Sequence, residues 1–200
     1  MGSERGNFSV VRELDIPLDL SLFGGPVVVV DTETTGIGKA DRVVEIAAVR
    51  FEEGRCVGYS SLVNPQRHIP SFAEAVHGIS NDMVANEPLF GEIFDAVREL
   101  LVGAVVVAHN LPFDRRMIEQ EASRLGWELN IAGICTLTVA RRMHPERGGK
   151  GAFTLGALLN LYDIENDAAH RALGDAEATA RLFAKMVQRS PEVVERYLPR

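Results

Sequence analysis

Val27-Val28-Val29-Val30-Asp31-Thr32-Glu33-Thr34-Thr35-Gly36-Ile37-Gly38 is the stretch on which the fold turns. Four valines run into polar residues, which predicts a buried central strand over Val27–Asp31 and a turn at Thr34–Gly38. In a strand, residues i and i+2 point to the same face, so Asp31 and Glu33 project together where the strand ends. Ligands in open α/β sheets favour such strand ends. Taken alone, an acid-x-acid pair reads better as a helix cap or a solvated turn.

Downstream, Arg42–Phe51 and Cys56–Val63 read as strands joined by a Glu53-Gly54 hairpin turn. Short helical stretches follow at Ser71–Val76 and Asn81–Val84, then a helix from Pro88 to Leu101. The second half alternates: strand Ala104–Ala108, helix Pro112–Leu125 stopping at Gly126, and a short strand Ile134–Leu137 running into a helix through Arg142. Helices over Thr154–Leu161, capped by Thr154, and Arg171–Arg189 complete the pattern. Three meandering strands followed by β-α-β-α predict an α/β fold with a mixed central sheet of about five strands and helices on both faces. The expected organisation is a tail or peripheral strand over residues 1–24, a domain over 25–190 and a tail over 191–200.

The chain has 200 residues, 46% hydrophobic and 24% charged, enough for one domain with a full core. A net charge of −7 argues against coating nucleic acid by bulk electrostatics, but not against gripping a strand end with the help of bound cations. Cys56 and Cys135 are the only cysteines and lack metal-site spacing, so a reduced, cytoplasmic setting is expected. The apolar runs Pro26–Val30 and Leu101–Ala108 are too short to span a bilayer, and the N-terminus lacks a signal-peptide pattern. Met1-Gly2 starts a myristoylation-like motif that Gly6 breaks.

Two further segments carry chemistry. Asp114 follows Ala108-His109-Asn110-Leu111-Pro112-Phe113, where a buried strand hands over to a helix. By itself it is equally a first-turn charge favoured by the helix dipole, and Asn110 suits the turn backbone. In His170-Arg171-Ala172-Leu173-Gly174-Asp175, a spacing of five places both groups together only if His170 precedes the helix that carries Asp175. Asp31, Glu33, Asp114 and Asp175 with His170 form the set that two-metal phosphodiester hydrolysis calls for. The carboxylates suit hard Mg²⁺ or Mn²⁺ ions, and the imidazole can accept a proton near neutral pH. The reading requires these segments to converge.

With these segments in view, the chain resembles the DEDDh 3′–5′ exonucleases, the proofreading epsilon type and its stand-alone relatives above all. The resemblance rests on Val28–Gly36, Val76-His77-Gly78-Ile79-Ser80, His109–Asp114 and His170–Ala176, and covers about residues 26–185. Sister enzymes of the tyrosine type carry Tyr where Arg171 stands, so the histidine type is indicated. The resemblance implies an RNase H-like fold and two Mg²⁺ or Mn²⁺ ions on Asp31, Glu33, Asp114 and Asp175, with His170 as general base. It implies that the backbone at Thr34, Thr35 and Gly36 binds the terminal 3′ nucleotide. His77, Gly78 and Ile79 would set an apolar wedge beside the last bases, with core packing the alternative for Ile79. His109, Asn110 and Phe113 would shape the pocket. One departure is Cys135 before Thr136-Leu137, where many relatives have Asp; it bears on substrate preference rather than on the metal ligands.

The implied activity is metal-dependent removal of nucleoside 5′-monophosphates from single-stranded or frayed DNA 3′ ends, in proofreading or repair. DNA is favoured over RNA; the rival is a 3′–5′ exoribonuclease trimming RNA ends or short oligoribonucleotides, since the surroundings of the 2′-hydroxyl are not legible. A non-catalytic replisome subunit on the same fold would tolerate loss of a ligand, and all five residues are present. Few residues follow the last expected helix, which favours a stand-alone enzyme over a polymerase-bound one. The basic loop Arg141–Gly151 either tracks single-strand phosphates or is a solvated loop. Asp19-Leu20-Ser21-Leu22-Phe23 resembles a sliding-clamp docking peptide, although its alternation suits a peripheral strand better.

Overall fold

The structure, a computed structural model, describes residues 9–199. The Met1-Gly2 motif and the start of the expected N-terminal segment lie outside the described residues. The strands are β1 (Ser9–Glu13), β2 (Val27–Thr34), β3 (Val43–Glu52), β4 (Arg55–Leu62), β5 (Val105–Ala108) and β6 (Gly133–Cys135). The helices are α1 (Ser71–His77), α2 (Asn81–Val84), α3 (Phe90–Leu101), α4 (Leu111–Arg124), α5 (Thr136–Met143), α6 (Leu155–Leu161), α7 (Ala172–Arg189) and α8 (Pro191–Glu195).

The strands form one mixed sheet in the order β1-β4-β3-β2-β5-β6. β2 pairs antiparallel with β3 and parallel with β5, so it is central and buried on both faces. Its valines divide by parity. Val27 and Val29 join Ala47, Val49, Leu182, Phe183 and Met186 in a core under α7. Val28 and Val30 join Ile93, Phe94, Met117 and Ile118 in a second core under α3 and α4. Helices therefore cover both faces, as the alternating pattern requires. The hairpin turn between β3 and β4 is at Glu53 (φ 51°) and Gly54 (φ 77°), the positive-φ pair that matches strand twist.

Four differences from the sequence expectations have physical causes. β2 extends through the carboxylates to Thr34, because β3 supplies hydrogen-bonding partners over that length. The sheet has six strands rather than about five: β1 adds to the edge of β4, held also by Arg12, whose guanidinium donates two bonds to Glu177 of α7 at 2.7 and 2.8 Å. Leu20–Leu22 is a 3₁₀ turn, not a strand, capped by Asp19. Leu20, Leu22 and Phe23, each partly buried, pack on the α7 core, with Phe23 and Phe183 rings 5.7 Å apart. Where a C-terminal tail was expected, Pro191–Glu195 is helical, and Val194 is buried against the same core.

Phe183 is fully buried between α7 and β2. Phe183→Ala is expected to destabilise the chain by about 3–5 kcal/mol, read as a lower urea midpoint at unchanged m-value.

Candidate active site

β2 delivers Asp31 and Glu33 on the α7 face of the sheet, one residue apart from the last valine on that face. α7 delivers Asp175 from its first turn. Carboxylate oxygens of Asp31, Glu33 and Asp175 lie within 4.8 Å of one another. Asp114, buried in the first turn of α4, approaches from the other face; its Oδ1 accepts from the Thr32 hydroxyl at 2.8 Å. It stands outside the tight group of three but close enough to repel Asp31 and Glu33. The segments separated in sequence thus meet at one end of β2.

The electrostatics are those of acids confined together. Burial, then repulsion by Asp114, Asp175, Glu33 and Glu45, holds Asp31 well above the usual carboxylate range. Burial and the charges of Asp175, Glu45 and Asp114 push Glu33 up to about 8. Burial pushes Asp114 up to about 7 against its bond from Thr32, and burial also raises Asp175. Among the described residues, no Lys or Arg donates a hydrogen bond to any of these four. Oxygen-only, acidic and unbonded to any Lys or Arg among the described residues, the donor set fits hard divalent cations, which would displace its protons.

His170 lies immediately before α7 in the left-handed backbone region (φ 62°). Its N–H donates to Asp175 Oδ2 at 3.2 Å, while its exposed imidazole has no hydrogen bond among the described residues. The other oxygen of Asp175 accepts from Asn166 Nδ2 at 2.6 Å. The loop bearing Asn166 lies so close that a Cβ on Gly174 would sit 2.3 Å from Ala168 O.

Thr34 and Thr35 are buried and bond within their own turn: Thr34 Oγ1 donates to Gly36 O at 2.8 Å and Thr35 Oγ1 to Asp41 Oδ1 at 2.9 Å. A Cβ on Gly36 would sit 2.7 Å from Asp41 Oδ2, so the turn is closed by that carboxylate. His77 is buried at the end of α1; its Nδ1 accepts from Ile79 N–H at 3.0 Å, and its Nε2 is buried without a hydrogen-bond partner among the described residues. Gly78 is the left-handed cap of α1. Of the two readings of Ile79, the structure has the core-packed one: it is 0% exposed and packed with Val44, Ile69, Ala73 and Val84. Phe72 and Val76, on the same short helix, are the exposed apolar side chains.

His109 Nε2 meets the Phe153 carbonyl at 3.1 Å and must be the N–H; Nδ1 then accepts from the Thr136 hydroxyl at 3.0 Å. His109 is thus a strut between β5, α5 and the segment before α6. Asn110 caps α4 through its left-handed backbone (φ 66°), without a side-chain bond. Phe113 is half-buried beside it, with Arg116 over its ring. In the basic loop, Arg147 is tied to Ala152 O and Arg141 lies over Phe153. Sequence reasoning missed Glu45 and Asn166; nothing in the local pattern marks either, because both act through contacts distant in sequence.

The sheet order and the carboxylates at the end of β2 define an exonuclease-type α/β domain of RNase H-like fold. The exonuclease family model RNase_T matches residues 28–183, and the chain belongs to that family. It is 36% identical over 166 residues to the 3′–5′ exonuclease DinG of Bacillus subtilis, covering 81% of this chain and 18% of that protein. It is 37% identical over 188 residues to a DNA polymerase III subunit epsilon-like protein of Rhodobacter capsulatus, covering 92% of this chain and 26% of that protein. Among solved structures, exonuclease X in complex with 5′ overhanging duplex DNA matches with a TM-score of 0.68 and 32% identity, over 86% of this chain and 96% of the other. The chain thus spans about a quarter or less of these two curated relatives. No helix among the described residues is long and apolar enough to cross a membrane.

A carboxyl whose folded pKa is raised binds its proton more tightly folded than unfolded, so stability falls as pH rises. For Glu33 the window runs from 4.5 to about 8. In EDTA, the melting temperature is expected to drop across that window. Asp31→Asn is expected to raise it at the alkaline end, by about 2–4 °C for each kcal/mol of repulsion relieved, and to abolish further stabilisation by Mn²⁺. A melting temperature that climbs with pH in EDTA would contradict the burial and mutual repulsion that raise these carboxyls.

Proposed function

We propose that this chain is a metal-dependent 3′–5′ exonuclease that hydrolyses terminal phosphodiesters of DNA, single-stranded or at frayed 3′ ends, in proofreading or repair. The observation that carries the reading is the convergence of Asp31, Glu33 and Asp175 within 4.8 Å, with Asp114 adjoining and His170 at the mouth. Asp31, Glu33 and Asp175 would hold one Mg²⁺ or Mn²⁺ ion, and Asp114 with Asp31 a second. Bound cations would supply the charge that activates an attacking water and stabilises the departing 3′-oxygen.

The chain's own residues do the rest. His170 takes the proton of the attacking water; its exposed imidazole, without a hydrogen bond among the described residues, suits that task. Asn166 and the His170 amide orient Asp175, and the Thr32 hydroxyl orients Asp114, so the ligand oxygens are fixed before any cation arrives. The side chains of Thr34 and Thr35 are used inside their turn. They leave the Thr34–Gly36 backbone to meet a terminal nucleotide, with Phe113 at the pocket wall. The domain would comprise residues 25–190, with β1 and α8 as peripheral supports. The two free cysteines suit a reducing cytoplasm. DNA is favoured over RNA by the relatives' descriptions, and a polymerase is the partner those descriptions suggest.

His170→Ala is expected to leave Mn²⁺ binding intact and to slow release of a labelled 3′-terminal nucleotide by about 10²–10⁴-fold. Asp31→Ala is expected to lose the metal. The assay runs on matched DNA and RNA, single-stranded and paired, with Mg²⁺ and then Mn²⁺. Parent-like digestion by His170→Ala removes the base assignment, and faster digestion of RNA than of DNA reverses the substrate.

A further inference from the structure

Glu45 stands directly opposite Glu33 on the neighbouring strand, and is itself buried. Like charges so placed destabilise a sheet. Glu45 is nevertheless compensated: Oε1 accepts from Arg171 Nη2 at 2.7 Å, and Oε2 from Arg171 Nε at 3.1 Å and from the Ala172 N–H at 2.9 Å. Both its oxygens are engaged within the protein, and it stands outside the group formed by Asp31, Glu33 and Asp175.

What these bonds grip is the start of α7. Arg171 is the residue that caps the helix and Ala172 its first member, without any side-chain cap of their own. Glu45 answers one of the N–H groups that a helix start leaves open, and its charge lies at the positive end of the helix dipole. The two-pronged arginine bond is directional, fixing orientation as well as distance. His170 is the next residue outward. Its backbone is in the left-handed region, which costs a non-glycine residue energy and persists only where the surroundings enforce it. Asp175 holds its amide on one side, and the Glu45–Arg171 pair holds the chain on the other.

We propose that Glu45 and Arg171 form a latch between β3 and the start of α7 that sets the His170 imidazole beside the carboxylate group, making both of them positioning residues for hydrolysis. The inference rests on His170 being the general base. The latch touches neither substrate nor cation; it acts by denying His170 other backbone placements. Loss of placement by about 1 Å far from the chemistry can cost on the order of 10² in rate.

The test uses the full chain and single-turnover digestion of 3′-labelled single-stranded DNA in Mn²⁺, beside Mn²⁺ titration followed by electron paramagnetic resonance. The variants are Glu45→Gln, Arg171→Gln, His170→Ala and the doubles with His170→Ala. Arg171→Gln leaves the Glu45 bond to Ala172 in place and serves if Glu45→Gln does not fold. Each latch variant is expected to lower the maximal rate by about 10–100-fold. The half-saturating DNA concentration should stay within about twofold and Mn²⁺ affinity within about threefold. In the His170→Ala background the same substitution is expected to cost less than about twofold, because the group it positions is gone. A full loss retained in that background, Mn²⁺ binding weakened by about tenfold or more, or a parent-like rate in the latch variants overturns the proposal. Parent-like digestion by His170→Ala overturns the base assignment beneath it. A slow His170→Ala beside fast latch variants overturns the latch alone.

Discussion

Acidic side chains held where their charges repel one another are the constraint around which this fold is organised. Asp31 experiences Asp114, Asp175, Glu33 and Glu45 at once, in a site that excludes much of the water that would screen them. Such a cluster does not assemble for its own sake. It exists because rigid elements carry it there: the central strand supplies two of the acids, and helices packed on opposite faces supply one each. The valines of β2, buried on both sides, anchor that geometry in the two largest apolar cores. Apolar burial of that kind offsets the electrostatic cost, a common relation between a stable frame and a strained functional site.

The treatment of other buried acids in the same molecule sharpens the point. Glu121 is buried, accepts from Arg42 at 2.7 Å and forms an ion pair with Arg124 at 3.1 Å. Glu177 has Arg12, and Glu45 has Arg171. The chain therefore has the means to neutralise an enclosed carboxylate and does so repeatedly. At Asp114 and Asp175 the hydrogen-bond partners are instead hydroxyl, amide and backbone N–H groups, which orient an oxygen without cancelling its charge, and among the described residues no Lys or Arg donates to Asp31 or Glu33. Uncancelled charge with prearranged oxygens is what a site for external cations requires.

Much of this was legible in the sequence because it is local. Alternating and all-apolar runs marked the strands, Thr154 marked a helix start, and the spacing of His170 and Asp175 required the histidine to precede its helix, as it does. What escaped was non-local. Glu45 reads as an interruption in an apolar strand until Arg171, 126 positions later, is brought beside it. Asn166 reads as a loop residue until the loop folds onto Asp175. Ile79 follows a turn and could face either way; only the small core of Val44, Ile69, Ala73 and Val84 decides that it points in. β1 lacks the hydrophobicity of a central strand because it covers an edge, and is held partly by an ion pair to α7.

Glu33 and Glu45 make the argument most compactly. They are the same residue type, in register on adjacent strands and on the same face of the sheet. Their difference arises from where the chain places a guanidinium: Arg171 grips Glu45 through two nitrogens, while Glu33 receives only its weaker influence at a distance. That single placement divides one pair of acids between two tasks. One holds the start of α7 to the sheet, and the other presents a carboxyl with no arginine bonded to it at the end of β2. A tyrosine in place of Arg171 could accept or donate one hydrogen bond but could not cancel the charge of Glu45. The charge of Arg171 is therefore what Glu45 requires at that position.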